Sequence, residues 1–171
     1  MYHRPNERFS KHVEIIKQLY DVSKLYDSMN DIDLVRKTYN DIAMIQIKNR
    51  DLNLSPEDTL KDTIEACVAI ITQNKKKIIS EEDYNQFRKG YEGFKHYTVN
   101  NFRQQELLAM AAKAYILAIN VLYPEELIEE EKPINTFVGK QWKYLKQNIG
   151  DDLYSRFMKA CFIDNKHSIE D

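Results

Sequence analysis

Glycine and proline are scarce in this chain, since each occurs only four times among 171 residues. Antiparallel sandwiches and barrels need a turn after every short strand, and glycine and proline supply most of those turns. Four of each is too few for such a fold and favours long, uninterrupted elements. The scarcity therefore predicts an all-α protein.

Cysteine is rarer still, with only Cys67 and Cys161 present. Two thiols cannot form the multiple disulfides of small secreted domains, and a chain of 171 residues can build a core without them. The first residues also contain no apolar run of signal-peptide length. We therefore predict reduced thiols and a cytoplasmic protein.

An excess of charge of either sign is missing too. Lysine and arginine number 25 against 27 acidic residues, which gives a formal net charge of −2. A protein with so little net charge has no broad electrostatic attraction for nucleic acid or for an anionic membrane. Any basic binding site would have to be local.

The longest apolar stretch covers residues 107–123, where Lys113 and Asn120 are the only strongly polar side chains. At about 3.6 residues per turn these two lie on one narrow stripe, and the rest of the circumference is apolar. Such a helix needs neighbours on several sides. Because the stretch is shorter than the roughly 20 apolar residues of a membrane span and contains a lysine, we predict a central core helix at about residues 101–123 and no membrane association.

Apolar residues recur at three- and four-residue steps on both sides of this stretch, which is typical of amphipathic helices. Ser55 precedes a proline and two acids, and Ser80 precedes three acids. These residues are favoured at the N-cap and in the first turn of a helix. The patterns together predict one all-α domain over residues 1–171, a bundle of six to seven helices around the central one. Residues 1–8 and 165–171 are expected to be flexible.

Gly90 and Gly93 lie inside the fourth predicted helix. A glycine inside a helix costs roughly 1 kcal/mol relative to alanine, so its presence needs a reason. We favour a kink or a close helix crossing, and backbone space for a ligand is the alternative.

Patterns for catalysis or for a cofactor are missing from the sequence. The four histidines stand at positions 3, 12, 96 and 167, and only His96 has a carboxylate four residues before it, that of Glu92. A metal site needs more ligands than this pair supplies. A glycine-rich phosphate loop is absent as well. We therefore expect no metal and no cofactor, and we favour a protein that is not an enzyme.

Aromatic residues exceed what the helix stripes require: there are 11 tyrosines, 7 phenylalanines and 1 tryptophan. Tyrosine and tryptophan are enriched where proteins bind partners. If Trp142 and Leu145 point into the core, the outer edge of their helix consists of four residues: Lys140, Lys143, Tyr144 and Lys146. We predict that the protein acts by binding another protein through this edge, and self-association is a further expectation.

The composition also suggests a setting for this binding. A bias toward Lys, Asn, Ile and Tyr codons is typical of AT-rich bacterial, phage or mobile-element genes. A small accessory, regulatory or inhibitor protein fits such a source.

The alternative is a protein that acts on nucleic acid. Residues 140–146 alternate lysines with aromatic residues, as RNA- and DNA-binding segments do. Helical ribonucleases of the HEPN type pair an arginine with a histidine four to six residues beyond it on one helix. Here seven residues separate Arg88 from His96, with Glu92 between them. Because the spacing departs from that pattern, nucleic acid is the less favoured partner.

Overall fold

The computed structural model of the protein describes residues 11–75, 77–98, 102–124 and 140–170, and for residues 140–144, 165 and 167–170 it describes the backbone alone. Within these ranges the chain forms seven α-helices and no strand, as the sequence predicts. They are α1 (Lys11–Ser28), α2 (Ile32–Asn49), α3 (Pro56–Thr72), α4 (Glu81–Phe94), α5 (Gln104–Leu122), α6 (Lys140–Ile149) and α7 (Asp151–Glu170), with a short 3₁₀ turn, Lys95–Tyr97, after α4.

Helix α5 is the centre of the bundle, which confirms the predicted core helix. It contacts α1, α2, α3, α6 and α7. Ala111, Ala112 and Ile119 on it are completely buried, and its lysine, Lys113, points outward to an ion pair with Asp27 of α1 at 2.6 Å. By length and composition alone α5 could cross a membrane. However, 61% of its most apolar 18-residue stretch is buried inside the protein, as in the core helix of a soluble protein.

The predicted helix starts are confirmed at both serines. The Ser55 hydroxyl accepts a hydrogen bond from the backbone N–H of Asp58 at 3.1 Å, and the Asp58 carboxylate accepts one from the backbone N–H of Ser55 at 2.7 Å. This reciprocal pair is a capping box, and it lowers the pKa of the Asp58 carboxyl. Ser80 caps α4 by accepting from the backbone N–H of Asp83 at 3.1 Å.

Gly90 and Gly93 lie where α4 crosses α1. A Cβ at position 90 would lie 2.2 Å from the carbonyl oxygen of His12, and one at position 93 would lie 2.6 Å from Cγ2 of Val13. Only glycine lets the two helices come this close. The close crossing, rather than a ligand site, is therefore what these glycines provide.

Helix α2 is attached to the bundle along one side, mainly by contacts with α3 and α5. Ala43 is its only fully buried residue. The Arg36 guanidinium donates to the carbonyl oxygens of Asn120 at 2.9 Å and Val121 at 3.1 Å, which lie at the C-terminal end of α5. The Tyr39 hydroxyl donates to the carbonyl oxygen of Pro56 at 3.1 Å, at the start of α3. Two polar anchors thus supplement a modest apolar contact.

A Schellman motif ends α2. The backbone N–H of Leu52 donates to the carbonyl oxygen of Ile47, and that of Asp51 donates to Lys48, both at 3.1 Å, while Asp51 adopts a left-handed φ of 51°. The chain then turns back toward α3 through residues 52–55.

Candidate functional site

Exposed apolar side chains concentrate on α2 and on the turn after it. Nine large hydrophobic side chains are exposed in the described part of the chain, and six of them lie in this one segment. Their exposed fractions range from 45% to 61%. We call these six residues the α2 face: Leu34, Ile42, Met44, Ile45, Leu52 and Leu54.

The α2 face points away from the bundle. Ala43 marks the side of α2 that packs on the core. At about 100° per residue, Leu34 and Ile45 lie roughly 160–180° from Ala43, and Ile42 and Met44 flank them on either side. The apolar side chains therefore stand on the outer surface of the helix, where no described element covers them.

Three exposed charged residues, Lys37, Asp41 and Lys48, stand among the residues of the α2 face. Asp41 and Lys48 are exposed and stand seven residues apart, two turns along the same side of the helix. Neither side chain forms an ion pair or a hydrogen bond with another residue in the described ranges. Both charges are therefore free to contact a partner.

Sequence reasoning found only part of this surface. The predicted stripe of the second helix contains Ile32, Val35, Tyr39, Ile42 and Ile45. The first three are partly buried against the core, whereas Ile42 and Ile45 are exposed. The missed signal is that α2 has apolar residues on more than one side, so a single covering contact must leave some of them in water.

The structure describes only part of the edge predicted on α6. The backbone of Lys140, Lys143 and Tyr144 belongs to α6, but their side chains lie outside the described residues. Leu145 is buried, as predicted. Lys146 is exposed, and its Nζ lies 3.5 Å from an Asp151 carboxylate oxygen and 5.5 Å from the centre of the Tyr154 ring. This lysine is thus held at the α6–α7 junction.

The predicted alternative site falls partly in an open groove of about 860 Å³ between the end of α3, α4 and the start of α5. Tyr84, Phe87 and Tyr91 supply its aromatic lining, and Arg88 and Glu92 also line it. Burial raises the pKa of the Tyr84 hydroxyl.

The charged groups of this groove do not form a catalytic set. The Arg88 guanidinium donates to the side-chain oxygen of Asn85 at 3.5 Å, while Glu92 is paired with Lys95 at 2.9 Å. His96 lies exposed on the 3₁₀ turn and does not line the groove. The structure therefore brings Arg88 and Glu92 together but leaves out the histidine that a HEPN-type pair needs.

Both cysteines are free and buried. Burial raises the pKa of Cys67 and of Cys161 to about 12, so both thiols stay protonated at neutral pH. A protonated, inaccessible thiol is a poor nucleophile. In the ranges that the structure covers, no group of three or more His, Cys, Asp or Glu side chains is placed to hold a metal ion.

The chain has no significant match among protein families, curated proteins or solved structures. The functional interpretation therefore depends on the surfaces described above.

Proposed function

We propose that this protein acts by binding another protein and that the α2 face is the contact surface. The observation that carries the proposal is the clustering of six exposed apolar side chains on one helix and its turn. Single exposed hydrophobic residues are ordinary on a protein surface, whereas a contiguous group is typical of an interaction site. We further propose a regulatory or accessory role in the cytoplasm, since the buried, free thiols suit a reducing compartment.

The shape of the face suits a helical partner. Leu34, Ile42 and Ile45 follow the spacing of an amphipathic helix that packs against a second helix or in a groove. Burying one leucine or isoleucine side chain completely gains about 1.5–3 kcal/mol, and association itself costs at least about 4 kcal/mol. Several residues of the face must therefore be covered together.

The α2 face differs in kind from the edge predicted on α6. Its exposed residues are aliphatic or methionine. Among the residues whose side chains the structure describes, most aromatic side chains are buried or half-buried. Tyr91 and Phe94, for example, both pack against the ring of Phe102, with centroids 5.6 and 5.1 Å away. The surplus of aromatics is thus largely used inside the bundle. This shifts the proposed interface from α6 to α2.

The experiment compares capture of partners by three baits. Ile42→Asp with Ile45→Asp places two charges in the α2 face, and the control, Gln18→Asp with Gln105→Asp, adds the same two charges at exposed polar positions on α1 and α5. Wild type and control should capture the same proteins from a lysate of the native host, and the α2 variant should lose them. Circular dichroism and thermal melting verify that all three are folded. Undiminished capture by the folded α2 variant would refute the proposal.

The α6 edge is tested in the same experiment. A bait with Lys140→Glu and Lys143→Glu should retain its partners if α2 is the interface, whereas loss with this bait alone would return the interface to α6. Rim lysines mainly change association rates, so the capture is compared at low and at moderate salt.

A nucleic-acid partner is the second candidate, and the aromatic lining of the α3–α4–α5 groove is the observation that favours it. Bases stack on aromatic side chains with little dependence on sequence, and Arg88 and Lys89 stand beside the aromatics. Fluorescence anisotropy with a labelled single-stranded RNA tests this candidate. Binding that Arg88→Ala weakens would support it, and no binding at low salt would exclude it.

A further inference from the structure

We propose that the occupant of the α2 face is a second copy of this chain, bound with the two α2 helices antiparallel. This inference rests on the proposed function, because it assigns a partner to the same surface. It is carried by the placement of Asp41 and Lys48, which lie at equal distances on either side of the point between Met44 and Ile45. Lys37, on the same side of the helix, has the exposed Leu52 at the equivalent distance beyond that point.

The symmetry matches what a dimer with a two-fold axis requires. In such an interface, if one residue meets a second residue of the other copy, the reverse contact occurs as well. An axis between Met44 and Ile45 sets Met44 of each copy against Ile45 of the other. Asp41 and Lys48 lie at equal distances on either side of that axis, so each Asp41 meets a Lys48.

The charges favour the antiparallel orientation. Seven residues of helix span about 10 Å, so both Asp41–Lys48 contacts can form at the same time. A parallel, in-register pair would instead set Asp41 against Asp41 and Lys48 against Lys48. Interhelical ion pairs select orientation and register more than they add affinity. The affinity comes from covering the apolar residues around them.

The geometry leaves room for this pairing. The side of α2 that carries Asp41 and Leu34 is opposite Ala43, so a second helix can approach to the usual axial separation of about 8–10 Å. Near each end of the pair, Leu34 of one copy approaches the turn of the other, where Leu52 and Leu54 are exposed. The exposed apolar residues at both ends are thereby included in the contact.

The size of the contact sets the expected strength. Helix α2 has 18 residues, which corresponds to a length of about 27 Å. One helix pair and two turns form an interface at the lower end of the range for specific complexes. We therefore expect a dimer that dissociates on dilution.

The experiment uses charge reversal in the full chain, followed by sedimentation equilibrium from low micromolar to several hundred micromolar concentration. Asp41→Lys alone sets lysine against lysine at both contacts, and Lys48→Asp alone sets aspartate against aspartate. Each single variant should weaken the dimer by roughly tenfold or more, equivalent to about 1.4 kcal/mol. The double variant, Asp41→Lys with Lys48→Asp, restores both contacts with reversed polarity and should return to the affinity of the wild type.

The mixture of the two single variants is the decisive test of the antiparallel pairing. In their heterodimer each lysine faces an aspartate, so the mixture should dimerise as the wild type does although neither variant does so alone. A parallel pair would give a different pattern. Like charges would face each other in the wild type and in each single variant, so neither single substitution would weaken the dimer, and the mixture would bind more tightly than the wild type. Since both sites are exposed helix positions, circular dichroism should show every variant folded.

Two results would overturn the inference. A wild-type chain that is monomeric at every concentration has no such dimer, while loss of captured proteins with the Ile42→Asp, Ile45→Asp bait would still support the proposed function with a different partner. A dimer that persists in both single charge variants and in the isoleucine variant uses another surface. If the wild type is monomeric and the isoleucine bait loses its captured proteins, the α2 face remains a binding site for another partner. If the dimer persists in all three variants and the isoleucine bait captures as the wild type does, both proposals are refuted.

Discussion

Gly90 lies directly against the backbone of His12, where α4 crosses α1. A β-carbon at position 90 would approach the His12 carbonyl oxygen to 2.2 Å and Cγ1 of Ile16 to 2.9 Å. The first of these contacts is to the backbone of a helix, so no change of rotamer can relieve it. Gly93 differs, because the nearest atom there belongs to the side chain of Val13.

Gly90→Ala should therefore destabilise the protein although alanine is the better helix former. The gain in helix propensity is about 1 kcal/mol, whereas forcing the packed helices apart typically costs about 1–3 kcal/mol or more. We expect a net loss of stability in urea denaturation, and a smaller loss for Gly93→Ala. A Gly90→Ala protein as stable as the wild type would show that α1 and α4 are not in backbone contact.

Arg36 is expected to hold α2 on the bundle. Its guanidinium donates to the last carbonyl groups of α5, and hydrogen bonds to charged groups contribute about 1.5–3 kcal/mol. Arg36→Ala should reduce the free energy of unfolding by that amount and speed amide exchange in α2 more than in α5. The neighbouring exposed residue provides the control, since Lys37→Ala should leave both quantities unchanged. Equal effects of the two substitutions would contradict the role assigned to Arg36.

The buried thiols predict a loss of stability in alkali. Burial raises the pKa of Cys67 and of Cys161 from the ordinary 9.0 to about 12 in the folded protein. Between these values the unfolded chain has released protons that the folded protein keeps, so the free energy of unfolding falls as the pH rises from about 9 to about 12. Burial also raises the pKa of the Tyr115 hydroxyl and acts in the same direction.

Each thiol should contribute a slope of roughly 1.4 kcal/mol per pH unit inside that window. Urea denaturation at several pH values above 8 measures the slope. In the double variant Cys67→Ala, Cys161→Ala the stability at neutral pH should be lower, because two buried side chains shrink, but the alkaline slope should be shallower. An unchanged slope in this variant would mean that the thiols are not the titrating groups.

The sequence could predict those features that depend on local patterns. The caps at Ser55 and Ser80 follow from short-range hydrogen bonding, and the position of α5 follows from a helix that is apolar almost all round. The inward orientation of Leu145 likewise follows from periodicity on its own helix. None of these inferences requires knowledge of which helix packs against which.

The α2 face could not be predicted because it depends on the arrangement of whole helices. Periodicity shows that Ile42 and Ile45 belong to an apolar stripe, but not that the covering contact with α3 and α5 reaches only the side marked by Ala43. The crossing at Gly90 posed the opposite problem. The sequence showed that glycine needed a reason, while the reason, the His12 carbonyl of a helix about 80 residues earlier, required the tertiary structure.

The place of α5 in the chain has a consequence for synthesis on the ribosome. Helices α1 and α3 pack on α5, yet both are made before it, and fifty residues separate the end of α3 from the end of α5. At about 5–20 residues per second, translation of that interval takes roughly 3–10 s. During this delay the apolar side of α3, with Ile64, Val68 and Ile71, has no core helix to cover it. The native bundle can therefore form only after α5 has left the exit tunnel, and until then the apolar side of α3 is exposed.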